Sequence, residues 1–286
     1  MLKALLFSLI LVCTALPQYN TMYYFYNQQS TTSSSSGSSG VTPIEPSTLS
    51  PTEWYDENEH TNVPNNEHWG DVLSANVLGD AGIADGKTDI TQNGLAAWYG
   101  GAFGSYTSMF TVDASRLSIL ASGNSLTFFI VAKHTTDIGT RTAEYLLSVS
   151  TVVNNYSGRL AFRFANHNPS FLVGDNTNWF AATITDIDVL DGEWRIYCCQ
   201  FTQATNNVTA KLWASGNKYA IGTGAAWTTR DYDTGTNGGY IFADHTLGQT
   251  EYTGIAEIIW YANIVLTEEE INGVATWLSQ KWDVAW

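Results

Sequence analysis

The chain has 286 residues, with 12 Lys+Arg against 27 Asp+Glu and a formal net charge of −15. That length holds one large β domain or two small ones, and it buries enough apolar surface to fold without staples. No basic run exists to displace the counterions of a nucleic acid, so no nucleic-acid partner is expected, and anionic membrane surfaces are disfavoured for the same reason; the acidity suits solubility, cation binding or a neutral polysaccharide.

The first element is apolar. Lys3 precedes the run 4–16, which Pro17 ends. A basic start, a short apolar core and small residues Cys13 and Ala15 at the far end have the layout of a secretory signal. The run is too short to span a bilayer comfortably. It is read two ways: a cleaved signal, or a retained apolar anchor through which copies of the chain self-assemble. Residues 18–46 follow as a linker, with a polar-aromatic stretch (Met22-Tyr-Tyr-Phe-Tyr26) read as an added strand. The Ser/Gly tract 30–40 is flexible by composition, and the prolines of residues 42–51 stiffen the approach to the domain. Residues 47–286 are then expected to form one domain, giving the order tether, spacer, display domain, and no internal repeat is evident.

From about Glu53 onward, short strand-like runs punctuated by turns predict an antiparallel β-sandwich. Ser125–Lys133 places Leu126, Phe128, Ile130 and Ala132 on one face, and 159–164 places Leu160, Phe162 and Phe164 inward. Residues 193–201 and 208–213 read as strands joined at Thr205-Asn-Asn, a hairpin candidate. On the first of them Cys198 and Cys199 are adjacent, so their side chains take opposite faces and no unstrained disulfide joins them. Residues 255–261 are apolar apart from Glu257 and are expected to be a central strand. One helix closes the chain. Thr267 as N-cap with Glu270 three residues on is a capping box, Glu268 and Glu269 suit the positive end of the dipole, and Ile271, Val274, Ala275 and Leu278 form one apolar stripe.

Several segments in order carry a resemblance: Ser47-Thr-Leu-Ser-Pro-Thr-Glu-Trp-Tyr-Asp56, Trp69-Gly-Asp71, Gln92-Asn-Gly-Leu-Ala-Ala-Trp-Tyr-Gly-Gly101, the strand 126–133, Asp191-Gly-Glu-Trp194 and the closing strand and helix. Together they resemble the laminin-G-like (concanavalin A-like) jelly-roll proteins over residues 47–286. The resemblance implies a jelly-roll β-sandwich serving as a lectin-like or structural module at a virion surface, a cell envelope or another extracellular place.

Three kinds of chemistry are candidates. Asp186-Ile-Asp-Val-Leu-Asp191, read as a strand, puts Asp186 and Asp188 on one face, as paired glycosidase carboxylates require. It is similar to the Glu-x-Asp-x-x-Glu strand of laminarinase-type hydrolases, but Asp186 and Asp191 stand where that pattern has Glu, one methylene short. The reading preferred here is therefore non-enzymatic. For calcium, the resemblance and three acidic loops (80–89, 175–178 and 231–237) nominate Asp175, Asp231 and Asp233, although these residues are also what turns need. For a glycan, planar aromatics beside amides and carboxylates nominate Trp179 with Asn176 and Asn178, and Trp227 with Asp231, Tyr232 and Asn237. Trp98-Tyr99, placed in a Gly-rich turn, is a third aromatic candidate. The five histidines show no ligand spacing and are expected in loops or at the surface.

Overall fold

The computed structural model describes residues 40–56, 58, 69–70, 73, 77–80, 90–99, 110–112, 125–134, 143–149, 160–174, 179–204, 207–225, 239–241 and 253–286. Residues 40–286 form one compact unit, an antiparallel jelly-roll β-sandwich with a single C-terminal helix among the described residues. In chain order the strands are β1 (Glu53–Asp56), β2 (Trp69–Gly70), β3 (Val77–Asp80), β4 (Ile90–Gln92), β5 (Leu95–Tyr99), β6 (Phe110–Val112), β7 (Ser125–His134), β8 (Ala143–Val149), β9 (Leu160–Ala165), β10 (Asn168–Gly174), β11 (Trp179–Thr183), β12 (Arg195–Gln203), β13 (Asn207–Ala214), β14 (Lys218–Ala225), β15 (Gly239–Ile241) and β16 (Thr253–Ala262). Helix α1 is Glu268–Trp282.

The first sheet runs β14-β13-β12-β7-β16-β5-β4, with β1 also on β16; the second runs β11-β10-β9-β8-β15-β6-β3-β2. Strand β16 lies inside the first sheet and is buried along its whole length. One of its edges is paired with β7. The other is shared: β5 pairs with Gly254 and Ile255, and β1 pairs with Glu257 to Trp260. A register shift between Ile255 and Glu257 falls where one partner hands over to the other. An extra residue there bends the strand, which lets two neighbours lie along one edge.

Alternation along the strands divides the apolar residues between two cores. Between the sheets lie Phe128, Ile130, Phe162, Phe164, Tyr197, Cys199 and Trp260. On the outer face of the first sheet lie Phe129, Val131, Ile196, Cys198, Ile259 and Tyr261, covered by Ile271, Val274, Ala275, Leu278 and Trp282 of α1. The inward residues expected on β7 and β9 are all found there, and the two adjacent cysteines serve different cores. Strands β12 and β13 pair as expected of a hairpin, with residues 205 and 206 of its turn outside the described residues.

The helix begins where its capping box predicts. Thr267 Oγ1 accepts from the Glu270 backbone N at 3.2 Å, and the Glu270 carboxylate accepts from the Thr267 N at 2.7 Å. Its approach is anchored by buried polar groups: Gln200 donates to the Leu266 carbonyl at 2.8 Å and Thr127 Oγ1 to the Ile264 carbonyl at 3.0 Å. Ile44, in a stretch that composition assigns to the linker, packs on the helical core, and its N donates to the Gly273 carbonyl at 3.0 Å.

Charge is also buried between helix and sheet. Asp56 on β1 stands directly opposite Glu257 on β16, and Lys281 reaches over them from the last turn of α1. Its Nζ pairs with Asp56 Oδ2 and lies 3.1 Å from Glu257 Oε2. Trp54 and Trp282 donate their indole N–H groups to the two oxygens of Glu257, at 2.6 Å and 2.5 Å. Both carboxylate side chains are completely buried and the lysine nearly so. Desolvating ions costs several kcal/mol each unless they are paired and hydrogen-bonded, and Lys281 and Asp56 are paired with each other here.

Candidate functional site

The segment 186–191 departs from its expected conformation. It is a bend followed by a 3-10 turn, Val189–Asp191, and not a strand. Asp188 is the N-cap of that turn, accepting from the Leu190 N at 3.0 Å. Asp191 accepts from the Glu193 N at 3.0 Å and from Arg195 Nη1 at 2.8 Å, and its second oxygen takes Arg195 Nη2. Asp186 is paired with Lys218. The hydrogen bond from Lys218 holds the Asp186 carboxyl below its ordinary range, and that from Arg195 does the same for Asp191. A general acid would need the opposite shift. Asp188 and Asp191 are thus engaged in holding the turn and Asp186 in an exposed ion pair, and the strand geometry on which paired carboxylates were expected is absent.

Of the glycan and calcium candidates, Asn176, Asn178, Trp227, Asp231, Tyr232, Asn237, Asp175 and Asp233 lie outside the described residues. Trp179 opens β11, paired with Gly174. Trp98 is not in a turn: it sits in β5, buried between the sheets. His134, expected at the surface, is buried at the end of β7 with its ring 6.0 Å from that of Phe164. Among the described residues no cluster of His, Cys, Asp and Glu could hold a metal ion.

The described residues do present a different aromatic surface. Strand β14 alternates small and large: Ala220, Gly222 and Gly224 on one side, Tyr219, Ile221 and Thr223 on the other. The small residues face inward, where β11 of the opposite sheet comes close. A Cβ on Gly222 would stand 2.5 Å from the Ala181 carbonyl oxygen, and one on Gly224 would stand 2.8 Å from the Phe180 ring. All the bulk of the strand is therefore turned out. On neighbouring β13 the register sets Trp213 against Tyr219 and Lys211 against Ile221.

The result is a platform on the outer face of the first sheet, beside α1. The Trp213 and Tyr219 rings lie 5.2 Å apart, tilted by 43°, and the Lys211 ammonium is 5.7 Å from the Trp213 ring. Tyr219 is 48% and Ile221 53% exposed, two of the four large apolar side chains exposed among the described residues. Partial burial and the nearby Glu268 carboxylate raise the Tyr219 phenol above its ordinary value, so an acceptor from the first turn of α1 is near Tyr219 while a donor from β13 stands by Trp213. Two adjoining ring faces flanked by one cationic and one anionic group can stack a pyranose and hydrogen-bond its hydroxyls.

No protein family matches the chain, and no curated protein is similar to it. Among solved structures, the binding domain of Paraclostridial Mosquitocidal Protein 1 is 13% identical with a TM-score of 0.51, over 78% of this chain and 51% of that one. The binding domain of botulinum neurotoxin serotype D/C is 10% identical with a TM-score of 0.48, over 74% and 53%. The sialidase CBM40 of Ruminococcus gnavus is 15% identical with a TM-score of 0.43, over 67% and 97%. What is shared is a β-sandwich. The chain spans about half the length of the two toxin binding domains.

The platform was missed by reading the sequence, although Lys218-Tyr-Ala-Ile-Gly-Thr-Gly-Ala225 carries a signal for it. Alternating glycine and bulky residues in a strand means that another backbone approaches on the glycine side. Such a strand offers its large side chains to the other side.

Proposed function

We propose that this protein is a non-enzymatic, carbohydrate-binding module of the laminin-G-like jelly-roll kind, displayed at a virion surface or cell envelope, and that the Trp213–Tyr219 platform is its ligand contact. The half-buried Trp213 and the exposed Tyr219 packed on it, with exposed Ile221 beside them, support this reading, because a contiguous apolar patch at the surface of a soluble domain commonly marks a binding site. The net charge of −15 favours a neutral glycan over a polyanion. Calcium ordering of the acidic loops belongs to the same proposal.

The test is a glycan array on the full chain, run in calcium and in EDTA, with sampling for released sugars. Binding without release is expected. Replacing Trp213 and Tyr219 by alanine should weaken it by about 0.5–1.5 kcal/mol per ring beyond the lost area, several-fold in Kd for each. Full binding by the double variant would move the ligand off this face. Silence of the wild-type protein in both conditions would favour a structural coat role, and equal binding in EDTA would remove calcium from the proposal.

A further inference from the structure

We propose that Lys281 and Asp56 join in an intramolecular isopeptide bond, with Glu257 as the catalytic residue that moves the protons. The three side chains come together from three elements. Asp56 and Glu257 face each other across β1 and β16, and Lys281 descends on them from α1, its Nζ against Asp56 Oδ2 and 3.1 Å from Glu257 Oε2. The nucleophile, the acyl group and the acid–base group are already in contact, which removes most of the entropic part of the barrier to condensation.

The two oxygens of Asp56 are treated differently. Oδ2 meets the amine. Oδ1 accepts two hydrogen bonds from Asn58, from its backbone N and from its Nδ2, each at 2.9 Å. Those donors suit the oxygen that carries negative charge in a tetrahedral intermediate and remains as the amide carbonyl. Asn58 is itself held by β5, donating to the Ala96 carbonyl at 3.1 Å and accepting from the Ala96 N at 2.8 Å.

Indole rings surround the amine. The Lys281 Nζ lies 4.8 Å from the ring centre of Trp277, 5.5 Å from that of Trp282 and 5.7 Å from that of Trp54. In this setting burial pushes Glu257 up to about 7, with Lys281 opposing the shift. A carboxyl that exchanges its proton near neutral pH therefore stands beside the pair.

The step balances without a metal, cofactor or oxidant. The Lys281 ammonium passes a proton to Asp56 Oδ2, and the freed amine lone pair attacks Asp56 Cγ. Negative charge collects on Oδ1 between the Asn58 donors. Glu257 gives its proton to the Oδ2 hydroxyl and takes one from the nitrogen. The Cγ–Oδ2 bond breaks, one water leaves, the carbonyl re-forms and Glu257 is again protonated. An amide replaces an amine and an acid, and no atom changes oxidation state.

The bond is tested on the full-length wild-type protein by intact mass and by peptide mapping after unfolding and proteolysis. Expected are a mass one water below that of the chain with its determined N-terminus, and a branched peptide joining the Asp56 and Lys281 fragments. Lys281→Arg should return the full mass, and Glu257→Gln should abolish or greatly slow the loss. Linear peptides alone from folded wild-type protein, after long incubation near neutral pH, would overturn the proposal. That measurement needs no variant, so it holds even where a substitution in the triad prevents folding. Undiminished linkage in soluble Glu257→Gln would overturn the role of Glu257.

Discussion

Gly222→Ala tests the close approach of the two sheet edges that creates the platform. The added Cβ would stand 2.5 Å from the Ala181 oxygen, 2.8 Å from its carbonyl carbon and 3.1 Å from the Ala182 N. Ordinary contact begins at 3.4 Å, so β14 and β11 must part by 3.4 − 2.5 = 0.9 Å. The obstructing atoms are backbone within the paired strands β10 and β11 and cannot rotate aside. Overpacking on this scale costs about 1–3 kcal/mol. Against it, alanine restricts the unfolded chain and returns about 0.4–1 kcal/mol. The net loss is then about 1.3 kcal/mol at mid-range, or a fall in Tm of about 3–5 °C for a domain of this size. Thermal and urea unfolding should be run beside two controls. Gly224→Ala meets the Phe180 ring at 2.8 Å, a side chain that can shift, and should cost less. Thr223→Ala points to solvent and should stay within about 0.5 kcal/mol. A Gly222→Ala protein that melts at or above wild type, or one less affected than Gly224→Ala, would refute the account of this corner.

Thr267→Ala removes one half of the capping box and leaves Glu270 without its reciprocal partner, so urea unfolding should show a loss of about 1 kcal/mol; no change would mean that packing alone holds the helix start. Glu257 has a sign that can be checked. Its folded value, lifted by burial to about 7, exceeds its ordinary 4.5, so between those values the native state keeps a proton that the unfolded chain has released. Its contribution to stability is complete below about pH 4.5 and is lost as pH rises through about 7. In the Lys281→Arg background, which cannot form the amide, Glu257→Gln should flatten that part of the stability–pH curve measured by urea unfolding, and an unaltered slope would contradict the assignment.

Much of the fold was legible because its signals are local. Thr267 and Glu270 fix a helix start within four residues, and alternation from Leu126 to Ala132 or Leu160 to Phe164 names the buried face without knowledge of its partner. The same signal misled at Asp186-Ile-Asp-Val-Leu-Asp191. Its period of two mimics a strand, yet Asp caps turns readily and Gly192, at φ +76°, closes this one. Trp98 was misplaced because the glycines after it suggested a turn, whereas the strand ends only at Tyr99. The charged triad was illegible for another reason: Asp56 and Lys281 are 225 residues apart, and only the pairing of β1 with β16 brings them to one place. The alternation of glycine with bulk in β14 signals a close approach on one side, but which backbone approaches, β11 of the other sheet, is long-range information that the strand itself does not carry.

The adjacent cysteines of β12 have a use that follows from the two cores. Burial holds both thiols well above their ordinary value, so neither reacts while the fold is closed. Cys198 is sealed by α1 and Cys199 by the second sheet. Lifting the helix would uncover the first thiol alone, while the second waits for the sheets to separate. With Cys13 replaced, alkylation rates at two neighbouring positions therefore time two distinct openings of the molecule: a partial one at its outer layer and one at its centre.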